Sequence, residues 1–129
     1  ELTACELLPF EAAAEVGPRA VMVGHIVVPE LTGDLPATLS ADAIALVPDA
    51  ENTLIVTDSL AMGAITDSYT PGEAAVQALQ AGCDVLLMPD GLADAYDAVL
   101  AAVQSGTISE QRLDESVAKI LRMKAQFCA

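Results

Sequence analysis

Two kinds of apolar segment alternate along the chain. Three are short, continuous and rich in β-branched residues or leucine: Ala20-Val21-Met22-Val23-Gly24-His25-Ile26, Thr53-Leu54-Ile55-Val56-Thr57 and Val85-Leu86-Leu87-Met88. Runs that stay apolar at every position are how strands covered on both faces look. Between them, apolar positions recur at helical spacing. Residues 6–16 form the first such segment, with Pro9 in or near its first turn and Gly17-Pro18 as its stop. Ser40 is placed to cap a short helix over residues 41–46. Thr70-Pro71-Gly72-Glu73 combines an N-cap threonine, proline at N1 and glutamate at N3, a capping box. The helix it opens runs to about residue 81 and ends at Gly82. Another covers about residues 92–104, stopped by Ser105-Gly106, and a last one runs from near Ser109 toward Phe127. Lys119, Arg122 and Lys124 fall in its C-terminal half, where cations complement the helix dipole.

The order α, β, α, β, α, β, α, α implies right-handed crossovers and a parallel sheet, so the fold class is α/β. A length of 129 residues fits one domain. Three strands make a poor sheet by themselves, and the chain reads as part of something larger. It opens Glu1-Leu2-Thr3-Ala4, with no methionine, straight into an apparent helix. Aromatics are only 3% while 53% of residues are apolar, so Ala, Val and Leu carry the burial, which suits helix–sheet packing. A formal charge of −14 argues against nucleic acid and against an anionic membrane surface, both of which call for clustered Lys and Arg. Solubility is the plain reading of that charge. No 18-residue apolar run is present to span a membrane. Cys5, Cys83 and Cys128 are widely spaced and odd in number; they read as free thiols, with Cys83 buried.

Functional groups of parallel α/β folds sit at the C-terminal ends of strands. Here that rule selects His25 from the first strand, Thr57, Asp58 and Ser59 from the second, and Pro89 and Asp90 from the third. Asp58 follows an apolar run and reads two ways: a functional carboxylate, or a cap or loop contact for Leu60-Ala61-Met62. His25, the one histidine, is either a satisfied structural group or a donor to a ligand hydroxyl or a neighbouring carboxylate. Asp84 lies just before its strand, at the opposite end of the sheet, and reads as a structural partner for a helix end. Ser59 has no second histidine to activate it, which removes a serine-hydrolase triad. Neither G-x-G-x-x-G nor a Walker A loop occurs.

Several stretches together resemble glycoside hydrolase family 3, in its β-N-acetylhexosaminidase branch. They are Ala20 through His25, Leu35-Pro36-Ala37-Thr38-Leu39-Ser40, and Val56-Thr57-Asp58-Ser59-Leu60-Ala61-Met62-Gly63-Ala64-Ile65. Ala78 through Pro89 resembles that family's last barrel strand, and Arg112 through Lys124 its closing helix. The resemblance covers nearly the whole chain, in order. It implies the C-terminal portion, about three βα units, of a (β/α)8 TIM barrel: residues 1–129 as one partial domain, with strands six to eight and the closing helices. The family nucleophile falls on Asp58, and His25 matches an active-site-lining position, hence a substrate-binding residue. No metal or organic cofactor is implied. The family's Lys-His-Phe-Pro-Gly-His-Gly-type segment and its Asp-Ser-His-type acid/base loop are not in this chain. Residues 45–52 are shorter than the family's L-R-x-E-L-G-F-x-G segment and lack its arginine, which leaves the sixth helix and its packing open.

The expectation is therefore part of a retaining β-N-acetylhexosaminidase acting on terminal β-linked N-acetylglucosamine, including peptidoglycan fragments, through a covalent Asp58 intermediate. The alternatives are a non-catalytic binding or assembly module on the family scaffold, or another family 3 β-glycosidase. Those β-glucosidases usually carry S-D-W, whereas this chain has Thr57-Asp58-Ser59 and no tryptophan. Alone, the chain is expected to be silent, and to associate with the missing barrel half or with itself. The apolar inner face is expected to be built from Val21, Val23, Ile55 and Leu86. Compartment is left undetermined.

Overall fold

A computed structural model describes residues 4–16 and 19–128. Two strands, β1 (Arg19–Val23) and β2 (Thr53–Thr57), pair in parallel, with Arg19 opposite Thr53 and Val23 opposite Thr57. The chain between them forms α2 (Pro29–Thr32), a 3-10 turn at Ala37–Leu39 and α3 (Ala41–Ile44); α1 (Leu8–Ala14) precedes them. After β2 come α4 (Gly63–Thr66), α5 (Pro71–Ala81), α6 (Leu92–Gln104) and α7 (Glu110–Phe127). The α/β class holds, with parallel strands and intervening helices. The stop expected at Gly17-Pro18 lies outside the described residues.

The third expected strand, residues 85–88, is reduced to one parallel bridge, Val85 with Val56. The reason is local competition for a donor. Val85 N–H donates to Ile55 O (3.1 Å) and Thr57 N–H donates to Val85 O (3.0 Å), as a ladder requires. At the next rung, however, Leu87 N–H donates to the Thr57 hydroxyl (2.8 Å) instead of a backbone carbonyl. The ladder ends there. The first strand is also shorter than its apolar run, and residues 24–28 are irregular.

Helix ends follow their local signals. Thr70 and Glu73 close the capping box in both directions, with Glu73 Oε2 accepting from Thr70 N–H (2.9 Å) and the Thr70 hydroxyl accepting from Glu73 N–H (3.3 Å). Gly82 ends α5 at a left-handed φ of 118°, and a Cβ there would lie 2.9 Å from Ile44 Cγ2. Ser40 caps α3 and Ser109 caps α7. α3 spans only four residues, and the segment to β2 continues as turns through Asp49, whose φ is positive. No regular helix fills residues 45–52.

The sheet has one covered face and one open face. Thr53, Ile55 and Thr57 are buried, whereas Leu54 and Val56 are half-buried. Ile55 joins Leu39, Ile44, Leu60, Ile65, Ala74, Ala78 and Cys83 in the main core, with Val23 and Leu86 packed against it. Parallel partners share a face, so Val21 and Val23 lie on Ile55's side. The inner face expected from Val21, Val23, Ile55 and Leu86 is thus the helix-covered one. The open face carries Ala20, Met22, Leu54 and Val56, with Met22 56% exposed. Continuous apolar runs look alike on both sides, so the pattern could not orient them.

Candidate active site

β1, β2 and the extended segment after Val85 end together, and their C-terminal ends form one rim. Asp58 is the first residue past β2. Its N–H donates to Val23 O at 2.9 Å, which fixes its backbone to the neighbouring strand. Ser59 N–H donates to Asp58 Oδ1 at 2.7 Å. Leu60 N–H donates to Leu87 O at 2.9 Å, and the Leu60 side chain, 2% exposed, anchors the loop in the core. Asp58 is half-buried, and among the described residues it forms no ion pair. Ser59 N–H on one carboxylate oxygen and Val23 O on the backbone amide hold the group at a fixed position. A carboxylate so placed can accept hydrogen bonds or act as a nucleophile.

His25 stands on the same rim, half-buried. Its Nε2 lies 2.9 Å from Ser59 O and its Nδ1 lies 2.8 Å from the Thr38 hydroxyl. A carbonyl only accepts, so Nε2 carries a hydrogen. Thr38 is wholly buried and also reaches Val23 O (3.0 Å) and Gly24 O (2.8 Å). Sequence reading selected Asp58 and His25, and the structure links them through Ser59. It passed over Thr38, whose only signal was its place in Pro36-Ala37-Thr38-Leu39.

Asp90 and Tyr69 do not join this network. They line, with Leu60, Ile65, Thr70 and Glu73, an adjoining cleft of about 370 Å³. Pro89 and Asp90 follow Met88, whose φ is 47°.

Asp84 belongs to the opposite end. Its side chain is fully buried and accepts from Ile55 N–H (3.0 Å), Ser116 Oγ–H (2.7 Å) and Lys119 Nζ (2.9 Å), with Arg112 at 3.4 Å. Arg112 also donates to Leu79 O and Cys83 O. This is a brace between α7 and the sheet. Cys83, beside it, is buried as expected, and all three cysteines are free. Burial, reinforced by Asp84, pushes the Cys83 thiol up to about 12, which keeps it protonated and unreactive. Among the described residues no cluster of His, Cys, Asp and Glu could hold a metal ion. No described helix is long and apolar enough to cross a membrane.

Residues 1–123 match the family model described as the glycosyl hydrolase family 3 N terminal domain. The β-hexosaminidase LpqI of Mycobacterium tuberculosis is 31% identical over 96% of this chain and 34% of its own length. A β-N-acetylglucosaminidase/β-glucosidase of Cellulomonas fimi is 31% identical over 92% of this chain and 23% of its own. The solved family 3 β-N-acetylglucosaminidase of Paenibacillus sp. str. FPU-7 superposes with a TM-score of 0.85 at 43% identity, covering 93% of this chain and 24% of that one. The chain thus spans about a third or less of the length of these relatives.

Proposed function

We propose, on the premise that this chain belongs to the glycosyl hydrolase family 3 N-terminal domain family, that it is part of a retaining β-N-acetylhexosaminidase. Relatives across its length are named as β-hexosaminidases or β-N-acetylglucosaminidases. In this reading, residues 1–129 supply strands six to eight and the closing helices of a (β/α)8 barrel. The substrates are terminal β-linked N-acetylglucosaminides, peptidoglycan fragments among them. Asp58 is the nucleophile. It attacks the anomeric carbon, the aglycone leaves, and water then resolves the glycosyl ester with net retention. His25 lines the same site. The group that protonates the departing oxygen lies outside residues 1–129, so this chain alone is silent.

One observation carries the reading: Asp58, within Thr57-Asp58-Ser59, stands directly past a parallel strand with one buried face, its backbone N–H bonded to Val23 O. Family barrels place their chemistry at that end of their strands. The test uses the whole parent protein and an aryl β-N-acetylglucosaminide. Asp58→Asn lowers turnover by about 10³-fold or more, because an amide cannot form the glycosyl ester. Asp58→Gly in added azide returns turnover, and the product is the α-glycosyl azide, formed by attack on the face that the carboxylate had occupied. Near-normal turnover by Asp58→Asn rules the assignment out.

The dual name of the Cellulomonas relative favours a second reading, a broader β-glycosidase that also accepts glucosides. Paired assays with 2-acetamido and 2-hydroxy aryl sugars separate the two.

A further inference from the structure

We infer that His25 is a positioning residue: a clasp that holds the loop of the Asp58 carboxylate through the Ser59 carbonyl, braced from behind by the buried Thr38 hydroxyl. The inference rests on the assignment of Asp58 as the nucleophile.

The geometry leaves the ring little else to do. Both nitrogens are committed within the protein, Nε2 to Ser59 O at 2.9 Å and Nδ1 to Thr38 Oγ1 at 2.8 Å. A histidine that bound a sugar hydroxyl through a ring nitrogen would have to give up one of these bonds. Thr38 is fully buried and cannot touch a ligand at the rim. Its single hydroxyl hydrogen has three acceptors in reach: Val23 O, Gly24 O and His25 Nδ1. Nε2–H donates to Ser59 O, and either Nδ1 or the Thr38 hydroxyl supplies the hydrogen between them. The two bonds together fix the ring plane.

The consequence reaches Asp58 from both sides. Val23 O holds the Asp58 amide, one strand position from the segment that delivers His25. The His25 ring and Leu87 O hold one peptide from its two sides, at Ser59 O and at Leu60 N–H. Ser59 N–H, on the residue whose carbonyl is clasped, donates to Asp58 Oδ1. If Ser59 turns, the carboxylate loses the donor that aims it. Attack on an anomeric carbon needs near-contact alignment, and a misplacement of about 1 Å can cost about 10²-fold in rate. The loss falls on turnover and not on substrate binding.

The experiment compares four forms of the whole parent protein with an aryl β-N-acetylglucosaminide: native, His25→Ala, Thr38→Val and the double variant. His25→Ala is expected to lower kcat by about 10²-fold with KM within about threefold. Thr38→Val, nearly isosteric and out of reach of any sugar, lowers kcat in the same direction. The double variant is no worse than His25→Ala, because both changes break one connection. His25→Gln, whose carboxamide N–H extends to the place of Nε2, recovers part of the loss, whereas His25→Asn is too short and does not. Each variant is first compared with native by thermal unfolding, and the Gln, Asn and Thr38→Val forms carry the test if His25→Ala does not fold. A raised KM with native kcat overturns the clasp in favour of direct sugar contact. Additive losses in the double variant, or Gln no better than Asn, overturn it as well. Azide-dependent turnover by Asp58→Gly is read alongside: its absence, with Asp58→Asn active, removes the nucleophile itself, while its presence with a KM-type effect at His25 removes only the clasp.

Discussion

Single residues divide here by which end of the strands they occupy. At one end Asp58 is half-buried, its carboxylate held by one backbone donor, Ser59 N–H. At the other, Asp84 is fully buried and saturated by Ile55 N–H, Ser116, Lys119 and Arg112. Its ions are worth less as attraction than they would cost if parted, because a lone charge stays behind in a poorly solvated place. Asp84→Ala is expected to destabilise the parent protein by about 3–5 kcal/mol, read as a lower denaturant midpoint, with no change in the pH profile of turnover. Cys83 supplies a second expectation. Its thiol ordinarily ionises near 9, but burial holds it to about 12. Below pH 9 it is protonated whether the chain is folded or not. As pH rises from 9 toward 12, only the unfolded chain gives up the proton, so the folded state loses stability across that window. Cys83→Ala should flatten that part of a stability-against-pH curve, and Cys83 should resist thiol reagents until the chain is unfolded.

α5 and α6 approach closely where a contact residue is small. They meet at Gly72, which faces Ala98, and through Leu79 and Ala102, with Val76, Val99 and Val103 packed against them. Gly72 sets the approach: a Cβ there would lie 2.7 Å from Ala98 Cβ. Gly72→Ala should force the helices apart and cost about 1–3 kcal/mol, measured by thermal or urea unfolding. The start of α5 is pH-dependent in a known direction. Hydrogen bonds from the Thr70 side chain, then from its backbone, hold the Glu73 carboxyl below its ordinary value. The capping box is therefore intact above the usual carboxylate range and is lost as pH falls through it. Glu73→Gln should remove that dependence, which hydrogen exchange in the first turn of α5 would report.

The whole chain has one face closed by helices and one face that nothing among the described residues covers. Met22 on the open side is 56% exposed, Met88 beyond the third segment is 64% exposed, and among the described residues β1 has a neighbour on one edge only. Leu92 and Tyr96, one helical turn apart on α6, are exposed as well. Unpaired edges and apolar surface of this kind recruit other chains. The 129-residue chain alone is expected to associate and to show no hexosaminidase turnover. Light scattering together with an aryl-glycoside assay checks both, and a dilute, stable, active monomer would contradict them.

What the sequence determined by itself was whatever depends on neighbours along the chain. The bounds of α5, α6 and α7 follow from Thr70-Pro71-Gly72-Glu73, Ser105-Gly106 and Ser109, whose capping bonds span three or four residues. The two strands and the place of Asp58 beyond the second were legible for the same reason, as unbroken apolar runs that end in a polar residue. The short helices α2 and α4, four residues each, left no period long enough to read. Tertiary structure decided the rest. Whether Val85 began a strand or made a single bridge turned on the Thr57 hydroxyl taking the Leu87 N–H. Which face of β2 lay open turned on where the helices packed, since Leu54, Ile55 and Val56 are apolar on both sides. The bond from His25 to Ser59 closes 34 residues of chain; its partners become neighbours only when two parallel strands bring their C-terminal ends to the same rim.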